Sequence, residues 1–298
     1  MSATDKHRLK FASAFFKEKW GERAQKIPLN AGFTCPNRNS HSDGCIYCNN
    51  TAFSPFYCDF SASLEKQLFS GYNYFKKRYK TNTFLAYFQS YTGTFCSPEH
   101  LTKLYNQILK HDFIKGIVIG TRPDCLPNAI ISVLKDFASE TYLKVEIGAE
   151  SFDDEVLNFA NRGHNSDDIK KAVEALREAN IDVGLHLLLG LPFEKESFIE
   201  ETGRELAKLD YQFLKLHHLQ ILKGTKLAEI WKQNPEIVKL YSPETYKSDL
   251  KKLLPMIAPN VYIERLISRV PESFLLAPRW DGLTENDLRA DLNDYFQD

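Results

Sequence analysis

Three cysteines sit close together in a stretch marked by glycine and proline. Gly32-Phe33-Thr34-Cys35-Pro36-Asn37-Arg38 is followed by Asp43-Gly44-Cys45-Ile46-Tyr47-Cys48. Nine residues separate Cys35 from Cys45, and two separate Cys45 from Cys48. Thiolates spaced this way can hold three irons of a [4Fe–4S] cluster and leave the fourth iron without a protein ligand. An open iron is a site of chemistry, whereas a cluster wrapped by four cysteines mainly passes electrons. Two rival readings use the same residues differently. Cys35, Cys45, Cys48 and Cys58 together have the composition of a four-thiolate zinc site, which would make the chain an RNA-binding module. Alternatively, His186, Glu146 and Glu150 could run acid–base chemistry in a barrel, leaving the cysteine trio idle.

These residues need a scaffold, and 298 residues suffice for one large barrel or two modest domains. The net charge of −1 gives no global field to draw in nucleic acid or membrane. Local basic segments exist at Lys6-His7-Arg8-Leu9-Lys10, across residues 17–26, and at Lys76-Lys77-Arg78-Tyr79-Lys80. Each reads first as a solvated face and second as a track for a nucleic-acid backbone. No apolar run approaches the roughly 20 residues of a membrane span, and the start lacks a signal-peptide core. The expectation is a cytoplasmic protein in which clustered cysteines serve metal or catalysis rather than disulfides.

Apolar runs alternate with amphipathic stretches along most of the chain. Strands are expected at residues 26–31, 83–89, 116–121, 143–148, 182–189 and 213–219. Helices are expected at 63–78, 98–111, 128–140, from about 153, at 166–179 and at 196–209. The alternation predicts parallel strands with crossover helices. In the fourth strand Val145, Ile147 and Ala149 share one face, opposite Glu146, Gly148 and Glu150. In the fifth, Val183, Leu185, Leu187 and Leu189 oppose Gly184, His186, Leu188 and Gly190. The greasy faces suit a layer of helices, and the mixed faces suit a barrel lumen that holds a ligand. Beyond residue 224 the pattern changes to helices at 227–233 and 243–255, a strand at 260–266 and a last helix at 285–296. The division expected is an N-terminal helical extension (1–25), a barrel (26–224) and a C-terminal α+β extension (225–298) packed on it.

With the cysteines placed directly after a first barrel strand, the chain resembles the radical S-adenosylmethionine (SAM) superfamily. Three residues usually separate the first two cysteines there. Nine resembles the expanded loop of the group containing the Elongator catalytic subunit, and more closely the YhcC/YtqA-like proteins. The phrases that carry the resemblance run from Lys26-Ile27-Pro28-Leu29-Asn30-Ala31 through the cysteine loop. They continue in Tyr87-Phe88-Gln89-Ser90-Tyr91-Thr92, Gly120-Thr121-Arg122-Pro123-Asp124-Cys125 and Glu146-Ile147-Gly148-Ala149-Glu150-Ser151. Asn161-Arg162-Gly163-His164 and His186-Leu187-Leu188-Leu189-Gly190-Leu191-Pro192 complete them.

The resemblance implies a partial (β/α)6 TIM-type barrel with a [4Fe–4S] cluster and SAM at the C-terminal ends of the strands. One electron, from a reductant such as flavodoxin or ferredoxin, would cleave the sulfonium C–S bond. The resulting 5′-deoxyadenosyl radical would abstract hydrogen from substrate. Cys35, Cys45 and Cys48 would ligate the cluster, and Tyr47 would contact adenine. Gln89, Ser90 and Tyr91 stand where relatives carry a glycine-rich turn that meets the methionine amino group, and the glycines are missing at those three positions. Glu150 suits the ribose hydroxyls, and the fork of Arg162 suits the methionine carboxylate. His186 and Gly190 on the fifth strand complete the cofactor-binding candidates. Cys125, after the third strand, is the candidate hydrogen donor or radical relay, with a buried filler as its plainer reading. One of His217 and His218 should face the cavity. The substrate implied is a tRNA wobble uridine modified at its C5 side chain, with a small metabolite as the alternative.

Overall fold

The computed structural model describes residues 9–40, 42–59, 61–280 and 282–297. Lys6, His7 and Arg8 of the first basic segment, and His41, lie outside the described residues. Eight parallel strands make one sheet: β1 (Lys10–Phe11), β2 (Gln25–Leu29), β3 (Phe84–Phe88), β4 (Ile114–Thr121), β5 (Tyr142–Glu150), β6 (Asp182–Leu189), β7 (Phe213–His218) and β8 (Tyr262–Arg265). Their spatial order is β1-β8-β7-β6-β5-β4-β3-β2, and the edge strands β1 and β2 do not pair, so the barrel is partial. Helices α1 (Ala12–Trp20), α2 (Leu64–Arg78), α3 (Pro98–Leu109), α4 (Asn128–Glu140), α5 (Asp154–Phe159), α6 (Ser166–Glu178) and α7 (Phe198–Leu206) accompany the first seven strands. α8 (Lys226–Gln233), α9 (Pro243–Leu253) and α10 (Glu285–Gln297) follow them.

Local chemistry sets the helix starts. Ser63 and Ser97 accept the backbone N–H of Lys66 and His100 at 3.2 and 3.3 Å, and Pro98 fits the first turn of α3. Asn165 and Asp168 form a reciprocal capping box on α6. The α/β partial barrel is the expected fold, and the structure adds one strand from each flanking segment. β8 pairs with β7 (Tyr262↔Phe213) and β1 pairs with β8 (Lys10↔Tyr262). Pairing with β8 satisfies the row of backbone groups that β7 would otherwise leave open. A two-residue strand such as β1 carries no readable alternation.

The outward residues Val145, Ile147, Ala149, Val183, Leu185 and Leu187 are buried under the helices, as their parity requires. The inward residues stack in three layers. At the bottom, α1 plugs the lumen: Phe16 packs with Leu85, Tyr87 and Val118, its ring lies 5.4 Å from Trp20, and Phe15 meets Phe213 edge-on at 4.9 Å. The middle layer is ionic. The top layer opens into a cavity at the C-terminal ends of the strands, where barrel enzymes carry their sites.

Candidate active site

The cysteine loop leaves β2 and is tied to three other elements. Thr92 N–H donates to Thr34 O at 3.3 Å, Ile46 N–H donates to Ala160 O at 3.1 Å, and Leu227 N–H donates to Ile46 O at 2.8 Å. The nine-residue insertion folds into a small antiparallel hairpin, Arg38–Asn39 with Ser42–Asp43, and Asn161 Nδ2 holds it through Gly44 O at 2.8 Å. Cys35, Cys45 and Cys48 are all free thiols. Two of the three sulfurs accept side-chain N–H donors. Cys45 Sγ accepts from Arg162 Nη1 at 3.3 Å and from Asn37 Nδ2 at 3.6 Å, and Cys48 Sγ accepts from Asn50 Nδ2 at 3.4 Å. Burial pushes the Cys48 thiol up, and so does its proximity to the sulfurs of Cys45 and Cys35.

Above the loop, one cavity is lined by Tyr47, Gln89, Tyr91, Glu150, Arg162 and His186, which are six of the eight cofactor candidates. Arg162 is buried and central. Its Nη2 donates to Gly148 O at 2.5 Å, its Nε donates to His164 at 3.1 Å, and its guanidinium lies 3.8 Å from Glu150. Glu150 shares the lumen parity of Glu146 and Gly148 and lines the cavity at the end of β5, where the strand bulges against β6 between Gly148 and Glu150 and Glu150 takes φ 66°. Tyr91 is also left-handed at φ 59°, so it supplies the turn that a glycine supplies elsewhere. Ser90 is buried beside this turn but is not among the cavity's lining residues. Gly190 lies in a neighbouring groove, where its N–H donates to Glu194 at 2.9 Å and a Cβ would meet the Tyr241 ring at 3.1 Å. Cys125 is buried behind the wall, and burial raises its thiol to about 12.

The cavity floor is an ionic layer that sequence reasoning found only in part. Glu146 accepts from Lys26 at 2.5 Å, from Tyr87 at 2.7 Å and from Lys215, and its carboxylate lies 3.0 Å from both Lys144 and His186. Glu264 of β8 shares the same lysines, with Lys26 at 3.0 Å, Lys215 at 3.4 Å and Lys144 in contact. Burial alone would raise both carboxyls. The ammonium groups outweigh it, holding Glu146 well below the usual range and Glu264 at about 2. Burial and the nearby Lys215 lower His186 to about 4, so its imidazole is neutral. Lys144 and Lys215 were readable, because they share the lumen parity of Glu146 and His217. Glu264 was not, because no local pattern places its strand, residues 262–265, in the barrel.

Two comparisons with known families match consecutive segments. Residues 30–206 match the radical SAM superfamily, and residues 211–290 match the radical SAM C-terminal domain. The chain belongs to the radical SAM superfamily. It is an enzyme of that class. The uncharacterized protein YtqA of Bacillus subtilis is 30% identical over 267 residues, covering 89% of this chain and 82% of YtqA. A tRNA uridine(34) acetyltransferase of Dehalococcoides mccartyi is 30% identical over 192 residues, covering 61% of this chain but 39% of that enzyme. Among solved structures, an N-terminally truncated Elp3 of Methanocaldococcus infernus has a TM-score of 0.63 at 18% identity, over 78% of this chain and 58% of that one.

The superfamily implies a [4Fe–4S] cluster and SAM, and the residues present fit them. A cubane takes one thiolate per iron, so its cysteines need not converge on a single ion. Among the described residues no three His, Cys, Asp or Glu groups do converge on one. Three free thiols, two of them (Cys45 and Cys48) accepting N–H donors, match the donor set of such a cluster, whose sulfurs are tuned by hydrogen bonds. A four-thiolate zinc set is not assembled, because Cys58 Sγ donates to Pro28 O at 3.0 Å within the core. No helix among the described residues is long and apolar enough to cross a membrane.

Proposed function

We propose that this radical SAM enzyme remodels the C5 side chain of a wobble uridine in tRNA, for example a carboxymethylaminomethyl group, in the cytoplasm. Cys35, Cys45 and Cys48 hold the cluster. Arg162 orients the SAM carboxylate while fixing Cys45, and Glu150 takes the ribose hydroxyls. Tyr47 packs on the adenine, while Gly190 lies in the neighbouring groove. The turn at Gln89-Ser90-Tyr91 meets the amino group, and His186 closes the floor. When bound, cluster and SAM supply a 5′-deoxyadenosyl radical that abstracts hydrogen, the electron coming from a reductant such as flavodoxin or ferredoxin. The protein's own part is to position the partners and keep water and stray hydrogen donors out.

The observation that carries the tRNA reading is the cavity's rim. Phe53 and Tyr91 line the cavity with exposed rings, and Arg38 lies over the Tyr91 ring at 5.8 Å. Nearby in the chain, Phe56 is 82% exposed and meets Tyr74 of α2 at 5.7 Å, and α2 ends in Lys76, Lys77 and Arg78. Exposed rings flanked by cations suit unstacked bases of a single-stranded loop and its phosphates. The relatives named as tRNA uridine(34) acetyltransferases support the same substrate class. Nucleoside mass spectrometry of total tRNA from a deletion strain tests the proposal. Loss of one wobble-uridine derivative with build-up of its precursor is expected. An unchanged profile refutes it and moves the substrate to a small metabolite.

A further inference from the structure

The cavity has two halves, and the reading above uses only one. Tyr47, Glu150 and Arg162 form the half on the cysteine loop and β5. The other half is built on β7 and β8 and on the residues that follow them, from Lys215, His217, Gln220, Arg265 and Ser268. Several of its polar atoms are buried without a hydrogen-bond partner among the described residues: His217 Nε2, Gln220 Oε1 and Ser268 Oγ. Ser268 is only 5% exposed. Buried polar atoms are rarely left unpaired, so an unmatched set carried by residues that line one cavity marks where a polar ligand belongs.

Charge says which ligand. In the floor, three ammonium groups (Lys26, Lys144 and Lys215) face two carboxylates (Glu146 and Glu264), leaving one positive charge in excess. Arg265 adds another. It pairs in register with Lys215 across β7 and β8, lines the cavity, and makes no side-chain hydrogen bond or ion pair among the described residues. Arg265 is exposed, and a guanidinium at the mouth of a cavity whose floor carries a surplus positive charge attracts an anion.

We propose that this half of the cavity is a carboxylate subsite for the substrate, with Arg265 gripping the carboxylate, Lys215 beneath it, and Ser268 and His217 completing its hydrogen bonds. This rests on the reading above that the cavity works on a uridine side chain, and it adds that the group handled there is an acid. A planar guanidinium fork matches the two oxygens of a carboxylate. The single surplus charge of the floor gives Lys215 its share of the attraction without an unpaired neighbour.

The test uses the full chain, reconstituted with cluster and SAM, and two anticodon stem-loop RNAs that differ only at the wobble base. One carries carboxymethylaminomethyluridine and the other its carboxamide. Wild-type protein should bind the acid about tenfold or more tightly than the amide. Arg265→Gln should bring the two affinities together by weakening the first. Equal wild-type affinities, or an Arg265→Gln variant that weakens both RNAs alike, would overturn the subsite while leaving the tRNA reading standing. If neither RNA binds, the tRNA reading fails and the subsite is decided by anomalous diffraction from crystals soaked in sodium bromide. Bromide at Arg265 and Lys215 supports an anion site for another acidic substrate, and none there removes it.

Discussion

Replacing Glu146 by Gln isolates the ionic floor, because the amide keeps the volume and removes only the charge. In the native protein three ammonium groups share two carboxylates within the lumen, and Glu146 touches all three. After substitution they share Glu264 alone. Breaking a buried ion pair from one side costs roughly 3–5 kcal/mol, since it strands a charge in a dry interior, and no cavity adds to it here. The penalty should itself depend on pH. Burial already lowers Lys144, whose side chain is fully enclosed, so it is the ammonium that gives up its proton first once Glu146 is gone. Urea unfolding followed by circular dichroism at about pH 7 and about pH 10 measures both effects. The expected result is a loss of about 3 kcal/mol or more near neutrality that narrows in alkali. A loss under about 1 kcal/mol, or one equal at both pH values, would refute the claim that the layer is mutually dependent.

Other perturbations test separate parts. His186 and His218 are both lowered by burial to about 4, and Glu264 is held at about 2 by its lysines. For all three the folded state binds protons less readily than the unfolded chain. The contribution of these three groups should therefore be complete above about pH 6.5, fall between about 6.5 and 4 as the histidines charge, and fall further towards 2. A flat acid titration of melting temperature would contradict this. Phe16→Ala removes the centre of the lumen plug and should cost roughly 3–5 kcal/mol, read as a shift in urea midpoint; a shift worth under about 1 kcal/mol would mean that α1 does not seal the barrel. Gly116→Ala would place a Cβ 2.2 Å from the Tyr142 carbonyl oxygen, against backbone that cannot move aside. Soluble yield and melting temperature should both drop sharply, and native-like values would show that the β4–β5 contact is looser than described.

Most of the barrel was legible in the sequence because its strands are buried on the helix side and alternate on the lumen side. Val145, Ile147 and Ala149 announced one face, and Glu146 and His186 the other. The boundaries of α4 and β6 match their expected spans, since each is bounded by sharp turn chemistry. What escaped was long-range. Lys10 and Tyr262 join the sheet from opposite ends of the chain, and no local pattern reports that a strand edge elsewhere needs a partner. The same blindness hid Glu264, whose charge makes sense only against lysines from β2, β5 and β7. In the site, Tyr47 of the cysteine loop and Arg162 come together in the lining of one cavity. Tyr91 was legible as a position and not as a conformation, because its left-handed backbone is imposed by the turn around it.

We propose that Cys35, Cys45 and Cys48 grip one cubane with a vacant corner. Mössbauer spectroscopy of anaerobically reconstituted protein, recorded with and without SAM, addresses it directly. Four irons are expected, one of which changes its spectrum when SAM is added, with loss of the cluster in Cys45→Ala. Four irons that ignore SAM, or a protein that takes up no cluster, would contradict it.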